Sequence, residues 1–93
     1  MIDLILFKQM ISNIKKALKS NDPFNIEIAN NLIKCLEVIF NDNDKIINYW
    51  IHSEEKEKYV YINNIKHPIL TVDRLYSYLT FKQVMNEKTQ FSQ

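Results

Sequence analysis

Ninety-three residues with 46% hydrophobic and 25% charged side chains make an ordinary globular composition, too apolar for a disordered chain and long enough for one small core. Glycine is absent, although average usage is about 7%, and this excludes the phosphate-cradling loops of nucleotide-binding proteins, which need backbone shapes that glycine takes most easily. Twelve basic and eleven acidic residues leave a net charge of +1, so no overall field steers the chain toward nucleic acid or an anionic membrane.

Turns and helix ends must then rely on Asn and Asp for left-handed backbone, and eleven Asn are present. Phe, Tyr, Met, Ile, Asn and Lys supply 49 residues and Gly, Ala, Arg and Pro only five. That is the imprint of AT-rich coding, found in low-GC bacteria, their phages and mobile elements, and in AT-rich eukaryotes and large viruses. A single cysteine, Cys35, allows no internal disulfide and points to a reducing, cytoplasmic location. The opening MIDLILFKQM carries Asp3, no basic region and a short apolar run, so neither a signal peptide nor a membrane span is expected.

The first predicted element is an amphipathic helix over about residues 2–19. Leu4, Phe7, Ile11, Ile14 and Leu18 recur at helical spacing, while Lys8, Lys15, Lys16 and Lys19 give it a positive face. Ser20-Asn21-Asp22-Pro23 ends it and starts a second helix over about 23–41, with Asp22 as N-cap and Pro23 in the first turn. The stripe expected to face the core is Ile28, Leu32, Cys35 and Ile39, flanked by Ala29, Ile33, Leu36 and Phe40. The polar break at 41–44 offers Asp42 or Asn43 as cap for a third helix over about 44–54, holding Ile46, Ile47, Trp50 and Ile51.

From Tyr59 the pattern changes. Tyr59-Val60-Tyr61-Ile62, Asn63-Asn64 and the run from Ile65 to Ile69 predict a β-hairpin over about 59–69. Both central positions of a type I′ turn need positive φ, which Asn accepts best after Gly. A two-residue turn pairs Ile62 with Ile65, Val60 with His67 and Tyr59 with Pro68. It places Val60, Ile62, Ile65, His67 and Ile69 on an apolar face and Tyr59, Tyr61 and Lys66 on the other. Pro68 has no donor and belongs on an edge strand, and two strands alone must pack on helices or join another sheet. Thr71 then caps a fourth helix over about 72–87, with Asp73 in its first turn. Its core face is Val72, Leu75, Tyr76 and Leu79, and a second apolar strip, Tyr78, Phe81 and Met85, lies off that face. The expected fold is mainly α, about four helices in a single domain with one β-hairpin between helix 3 and helix 4.

No catalytic or metal-binding constellation emerges. His52 and His67 are separated by fourteen residues and Cys35 lies far from both. His67 is expected to be packed and hydrogen-bonded, His52 to sit at a helix C-terminus, and Cys35 to face the core. Glu54, Glu55 and Glu57 read as solvated surface rather than as general acids or bases. No catalytic residue, metal or cofactor is assigned, and the chain is read as non-enzymatic.

The order helix, helix, helix, hairpin, helix invites comparison with winged-helix DNA-binding domains, whose third helix enters the major groove. Here that helix offers only Lys45 and His52 as basic groups and the chain's one arginine is Arg74, whereas DNA binding leans on Lys and Arg. A DNA-binding transcriptional regulator or antitoxin is therefore the alternative, with Lys8, Lys15, Lys16, Lys19 and Lys66 as backbone contacts. EVIFNDNDKIINYWIHS, residues 37–53, resembles the opening of the toxin-binding domain of Xre/MbcA/ParS-type antitoxins, where a helix, a short acidic turn and a helix ending in Trp-Leu recur. In that family a short Pro-Asn and Gly-containing segment follows, whereas the next proline here is Pro68.

Trp50, Tyr59, Tyr61, Tyr76 and Tyr78 cluster in the second half, and Tyr and Trp are enriched at interface hot spots. The favoured reading is a small non-enzymatic protein-binding module, a regulator or inhibitor of phage or mobile-element type. It would bind a protein partner, or a second copy of itself as a homodimer, through Tyr59, Tyr61, Lys66, Tyr78, Phe81 and Met85.

Overall fold

A computed structural model describes residues 2–91, and the side chains of all of these but 55 and 86–91. The described residues form α1 (Leu4–Lys19), α2 (Pro23–Ile39), α3 (Ile46–His52), a 3-10 turn (Glu55–Glu57), β1 (Tyr59–Ile62), β2 (Ile65–Pro68) and α4 (Val72–Phe91). The fold is mainly α with one antiparallel hairpin between α3 and α4, as the sequence predicts.

α1 begins at Leu4, not residue 2, because the Asp3 carboxylate accepts a hydrogen bond from the Leu6 N–H at 2.8 Å and sets the first turn there. Phe7, Ile11 and Ile14 are fully buried along it. Asp22 caps α2 by accepting from the Phe24 N–H at 3.1 Å, with Pro23 opening the helix. α2 stops at Ile39, short of the expected 41. Asn41 turns left-handed at φ 53°, the Asp42 N–H donates to the Glu37 carbonyl and the Asn41 N–H to that of Val38. This is a Schellman ending with asparagine in the place usually held by glycine.

The buried face of α2 corrects the sequence expectation. Ala29, Ile33, Leu36 and Phe40 are buried, Leu32 and Ile39 are half-buried, and Ile28 and Cys35 are exposed. Two adjacent stripes are both apolar, so periodicity does not choose between them. Packing does: Phe40 meets Phe7 edge-on at 5.3 Å and Tyr76 at 5.9 Å, while Phe7 and Tyr76 lie 5.4 Å apart. Three mutually packed rings bury far more apolar surface than a thiol would.

α3 begins at Ile46 rather than 44. Lys45 adopts φ 57°, and the buried Asp42 carboxylate accepts from the Ile46 N–H at 3.0 Å and the Ile47 N–H at 2.9 Å. A charge removed from water is thus held by two amides at a helix N-terminus. The helix ends at His52, within the expected stretch, where Ser53 becomes extended and its hydroxyl donates to the Trp50 carbonyl.

The hairpin has the predicted register, Tyr59 to Pro68, Val60 to His67, Tyr61 to Lys66 and Ile62 to Ile65, with Asn63 at φ 51° and Asn64 at φ 67°. Its burial differs from expectation. Val60 and Ile69 are buried and Ile62 is half-buried, but all of β2 is exposed, including Ile65 and His67. The hairpin leans on the helices through β1 and through its exit at Ile69, so the outer strand overhangs and His67 is not a packed core-edge residue. Three contacts anchor it. The Trp50 indole N–H donates to the Ile69 carbonyl at 2.7 Å, the Tyr49 hydroxyl donates to the Glu57 carbonyl at 2.7 Å, and the buried Lys58 places its ammonium 4.2 Å from the Trp50 ring centre.

α4 is capped by the Thr71 hydroxyl, which accepts from the Arg74 N–H at 3.2 Å. It runs to Phe91, past the expected 87, with no Pro or Gly to interrupt it. Leu75 and Leu79 are buried and Val72 and Tyr76 half-buried, the face expected; the Tyr76 hydroxyl donates to the Ile2 carbonyl at 2.9 Å. Removing the acid that organises α3 tests this arrangement. Asp42→Ala should lower stability by about 2 kcal/mol, a fall in Tm of roughly 8–16 °C on thermal denaturation followed by circular dichroism. An unchanged Tm would show that its two amide bonds carry no weight.

Candidate functional site

The candidate site lies where the hairpin meets α4 and the start of α3. On the outer face of the hairpin Tyr59 and Tyr61 sit two residues apart on one side of the strand, their rings edge-on at 5.8 Å. Lys66, cross-strand from Tyr61, places its ammonium 3.7 Å from the Tyr59 ring centre. On α4, Tyr78, Phe81 and Met85 follow helical spacing; Tyr78 is half-buried, while Phe81 and Met85 are 56% and 46% exposed.

An open cleft of about 710 Å³ separates these two groups. Its walls are β1, the Ile46 and Tyr49 side chains of α3, and Tyr78, Phe81 and Met85 of α4. At one end Lys82 forms an ion pair with Asp44. The structure therefore brings five of the six expected binding residues, Tyr59, Tyr61, Tyr78, Phe81 and Met85, to one cleft, and Lys66 touches it through Tyr59. A smaller hollow of about 570 Å³ lies on the other side, lined by Leu70, Arg74 and Ser77. Val60, Ile62, Tyr78 and Phe81 border both spaces.

Sequence reasoning missed Ile46 and Tyr49. Tyr49 is 44% exposed and lies beside the core residue Trp50; an aromatic ring off the core stripe of its own helix was the available signal. The cleft wall also changes the chemistry of Tyr78. Burial, and secondarily the Asp42 carboxylate, push its phenol above the ordinary value of 10.0. The neutral hydroxyl is thus the form the fold favours.

The lysines of the DNA-binding alternative are dispersed. Lys8 pairs with Asp73 at 3.0 Å, and Lys66 is stacked on Tyr59. Lys15 lies 4.6 Å from the Trp50 ring centre; with Lys19, Lys58 and His52 it lines a hollow of about 320 Å³ between the C-terminal ends of α1 and α3, while Lys16 is exposed outside it. α3 itself is seven residues long, with Ile47 and Trp50 buried, so little of it projects as a reading helix.

Cys35, His52 and His67 are all exposed, and among the described residues no three His, Cys, Asp or Glu side chains converge on a point that could hold a metal. No helix among those residues is long and apolar enough to cross a membrane. Comparison with protein-family models, with curated proteins and with solved structures gave no match.

The raised Tyr78 pKa has a definite sign in stability. Below pH 10.0 the phenol is neutral in folded and unfolded chains alike; above it the unfolded chain ionises first, so stability is lost as pH rises from 10.0 through the raised value. Denaturant titrations above that pH should show a loss of stability that shrinks in Tyr78→Phe. In Asp42→Asn the Tyr78 titration should move part of the way back toward 10.0, because burial is the larger cause. A Tyr78 phenol that ionises at 10.0 or below would contradict this placement.

Proposed function

We propose that this chain is a small protein-binding module that works without catalysis and takes its partner into the aromatic cleft between hairpin and α4. The observation that carries the reading is the set of large apolar side chains left uncovered around one concavity: Tyr61, Phe81 and Met85. Exposed apolar groups gathered at a concave surface mark binding sites, and aromatic anchors supply most of the energy when a partner removes them from water. The ion pair of Asp44 with Lys82 and the Lys66 ammonium form a polar rim, the usual surround of such an anchor. The AT-rich composition supports a regulator or inhibitor of phage or mobile-element type, and the lone cysteine supports a cytoplasmic setting.

A second reading, a DNA-binding regulator or antitoxin, draws on the hollow lined by Lys15, Lys19, Lys58 and His52. It requires duplex binding that weakens steeply with salt and is lost when Lys15, Lys16 and Lys19 are neutralised. A flat gel-shift titration at low salt removes it.

The protein-binding reading is tested by Tyr61→Ala and Phe81→Ala. Each should weaken capture of the partner, or self-association, by roughly 30-fold while the helical circular dichroism and Tm stay near wild type. Loss of folding in both variants would make these residues part of the core and end the proposal.

A further inference from the structure

Resting on the protein-binding reading, we infer that the cleft is filled by the β1 edge of a second copy of this chain, two hairpins joining into one four-stranded antiparallel sheet. The hydrogen-bond parity of the hairpin defines which edge is open. The Ile69 N–H donates to the Lys58 carbonyl at 2.8 Å, so Lys58 and Ile69 form a bonded pair. Bonded and non-bonded pairs alternate along an antiparallel ladder, which makes Val60–His67 and Ile62–Ile65 the bonded pairs. The backbone N–H and C=O of Tyr59 and Tyr61 therefore point away from β2.

The other edge of the sheet is guarded. Its outward-pointing residues are Lys66 and Pro68, a charge and a residue with no donor, both of which discourage strand addition. No such device stands on β1. The cleft is lined by five consecutive residues, 59 to 63, and successive side chains of a strand point to opposite faces. Both faces reach the cleft only if it runs along the strand's edge.

An edge that offers two outward peptide units one residue apart is complementary to another extended backbone. It is also complementary to itself: in an antiparallel arrangement Tyr59 exchanges hydrogen bonds with the partner's Tyr61, and Tyr61 with the partner's Tyr59, about a twofold axis at Val60. Such isologous contacts are the commonest route to a dimer. The exposed apolar side chains alone supply about half the area of a standard interface. Tyr61, Phe81, Met85 and Tyr49 are 62%, 56%, 46% and 44% exposed. At roughly 200 Å² per large side chain they contribute on the order of 400 Å² per copy, before the strand itself and Tyr59, Tyr78 and Ile62 are added, against ~800 Å² per partner in a standard interface. A net charge of +1 sets up little repulsion between copies. Pairing also relieves the marginal stability of a two-stranded sheet.

A proline on the open edge tests the pairing. Tyr61→Pro removes an N–H that the hairpin does not use. In sedimentation equilibrium of the full chain the wild type should be a dimer, Tyr61→Pro should raise the dissociation constant by about tenfold or more, and Val38→Ala, on the exposed face of α2 outside the cleft, should leave it unchanged. Amide hydrogen exchange on the wild type gives a readout that needs no variant: Tyr59 and Tyr61 should gain protection as concentration rises. A dimer insensitive to Tyr61→Pro, or Tyr59 and Tyr61 amides unprotected at every concentration, overturns the inference. A wild type monomeric throughout also overturns it. If Tyr61→Ala and Phe81→Ala still abolish capture of a host protein by that monomer, the protein-binding reading stands with a different occupant; if they do not, both fall.

Discussion

The hydrogen bond from the Trp50 indole to the Ile69 carbonyl fixes the hairpin to the helices, and the cleft exists because of it. It is buried, 2.7 Å long, and joins residues nineteen apart in sequence. Without it the Ile69 carbonyl would be left unpaired in the interior, a cost of about 1–3 kcal/mol. Trp50 can serve as anchor only because α3 is held at its other end. There the left-handed turn at Asn41 brings the Asp42 carboxylate to the Ile46 and Ile47 amides. A chain of local causes thus runs from the end of α2, through α3, to the placement of β1 over α4. The two lysines on the Trp50 ring, Lys15 and Lys58, add cation–π attraction at the same point.

The absence of glycine shapes each of these joints. Five described residues take positive φ: Asn21, Asn41, Lys45, Asn63 and Asn64. Asparagine tolerates that region better than other side-chain-bearing residues, and four of the five positions use it. Lys45 is the exception. Its left-handed backbone, at a cost of about 1–2 kcal/mol, is offset by the two bonds that Asp42 makes directly after it. The entry to α3 is accordingly the most strained joint of the fold and the one on which the anchor depends.

What the sequence revealed follows the range of the interactions. The Asp22–Pro23 start of α2, the Thr71 cap and the register of the hairpin are decided by neighbours a few residues apart, and all were legible. The buried stripe of α2 was not. Ile28, Leu32, Cys35 and Ile39 form as good a helical stripe as Ala29, Ile33, Leu36 and Phe40, and only the meeting of Phe40 with Phe7 and Tyr76 selects the second. The exposure of His67 and Ile65 likewise depends on how far the hairpin overhangs, which no local pattern encodes. Of the cleft, Tyr59, Tyr61, Tyr78, Phe81 and Met85 stood out as aromatic or apolar groups off the core faces. Ile46 and Tyr49 did not, because their nearness to β1 is produced by the Trp50 anchor.

The cleft and the open β1 edge are one surface, and the central claim is that a polypeptide strand covers it. A dilution series of amide NMR spectra on the isotope-labelled full chain, from micromolar to millimolar, tests this most directly. The expected result is a set of concentration-dependent shifts confined to β1 and the cleft residues Ile46, Tyr49, Tyr78, Phe81 and Met85, with the Trp50 indole signal and α2 unmoved. Spectra that do not change with concentration, or shifts centred on α1 and α2, would contradict it.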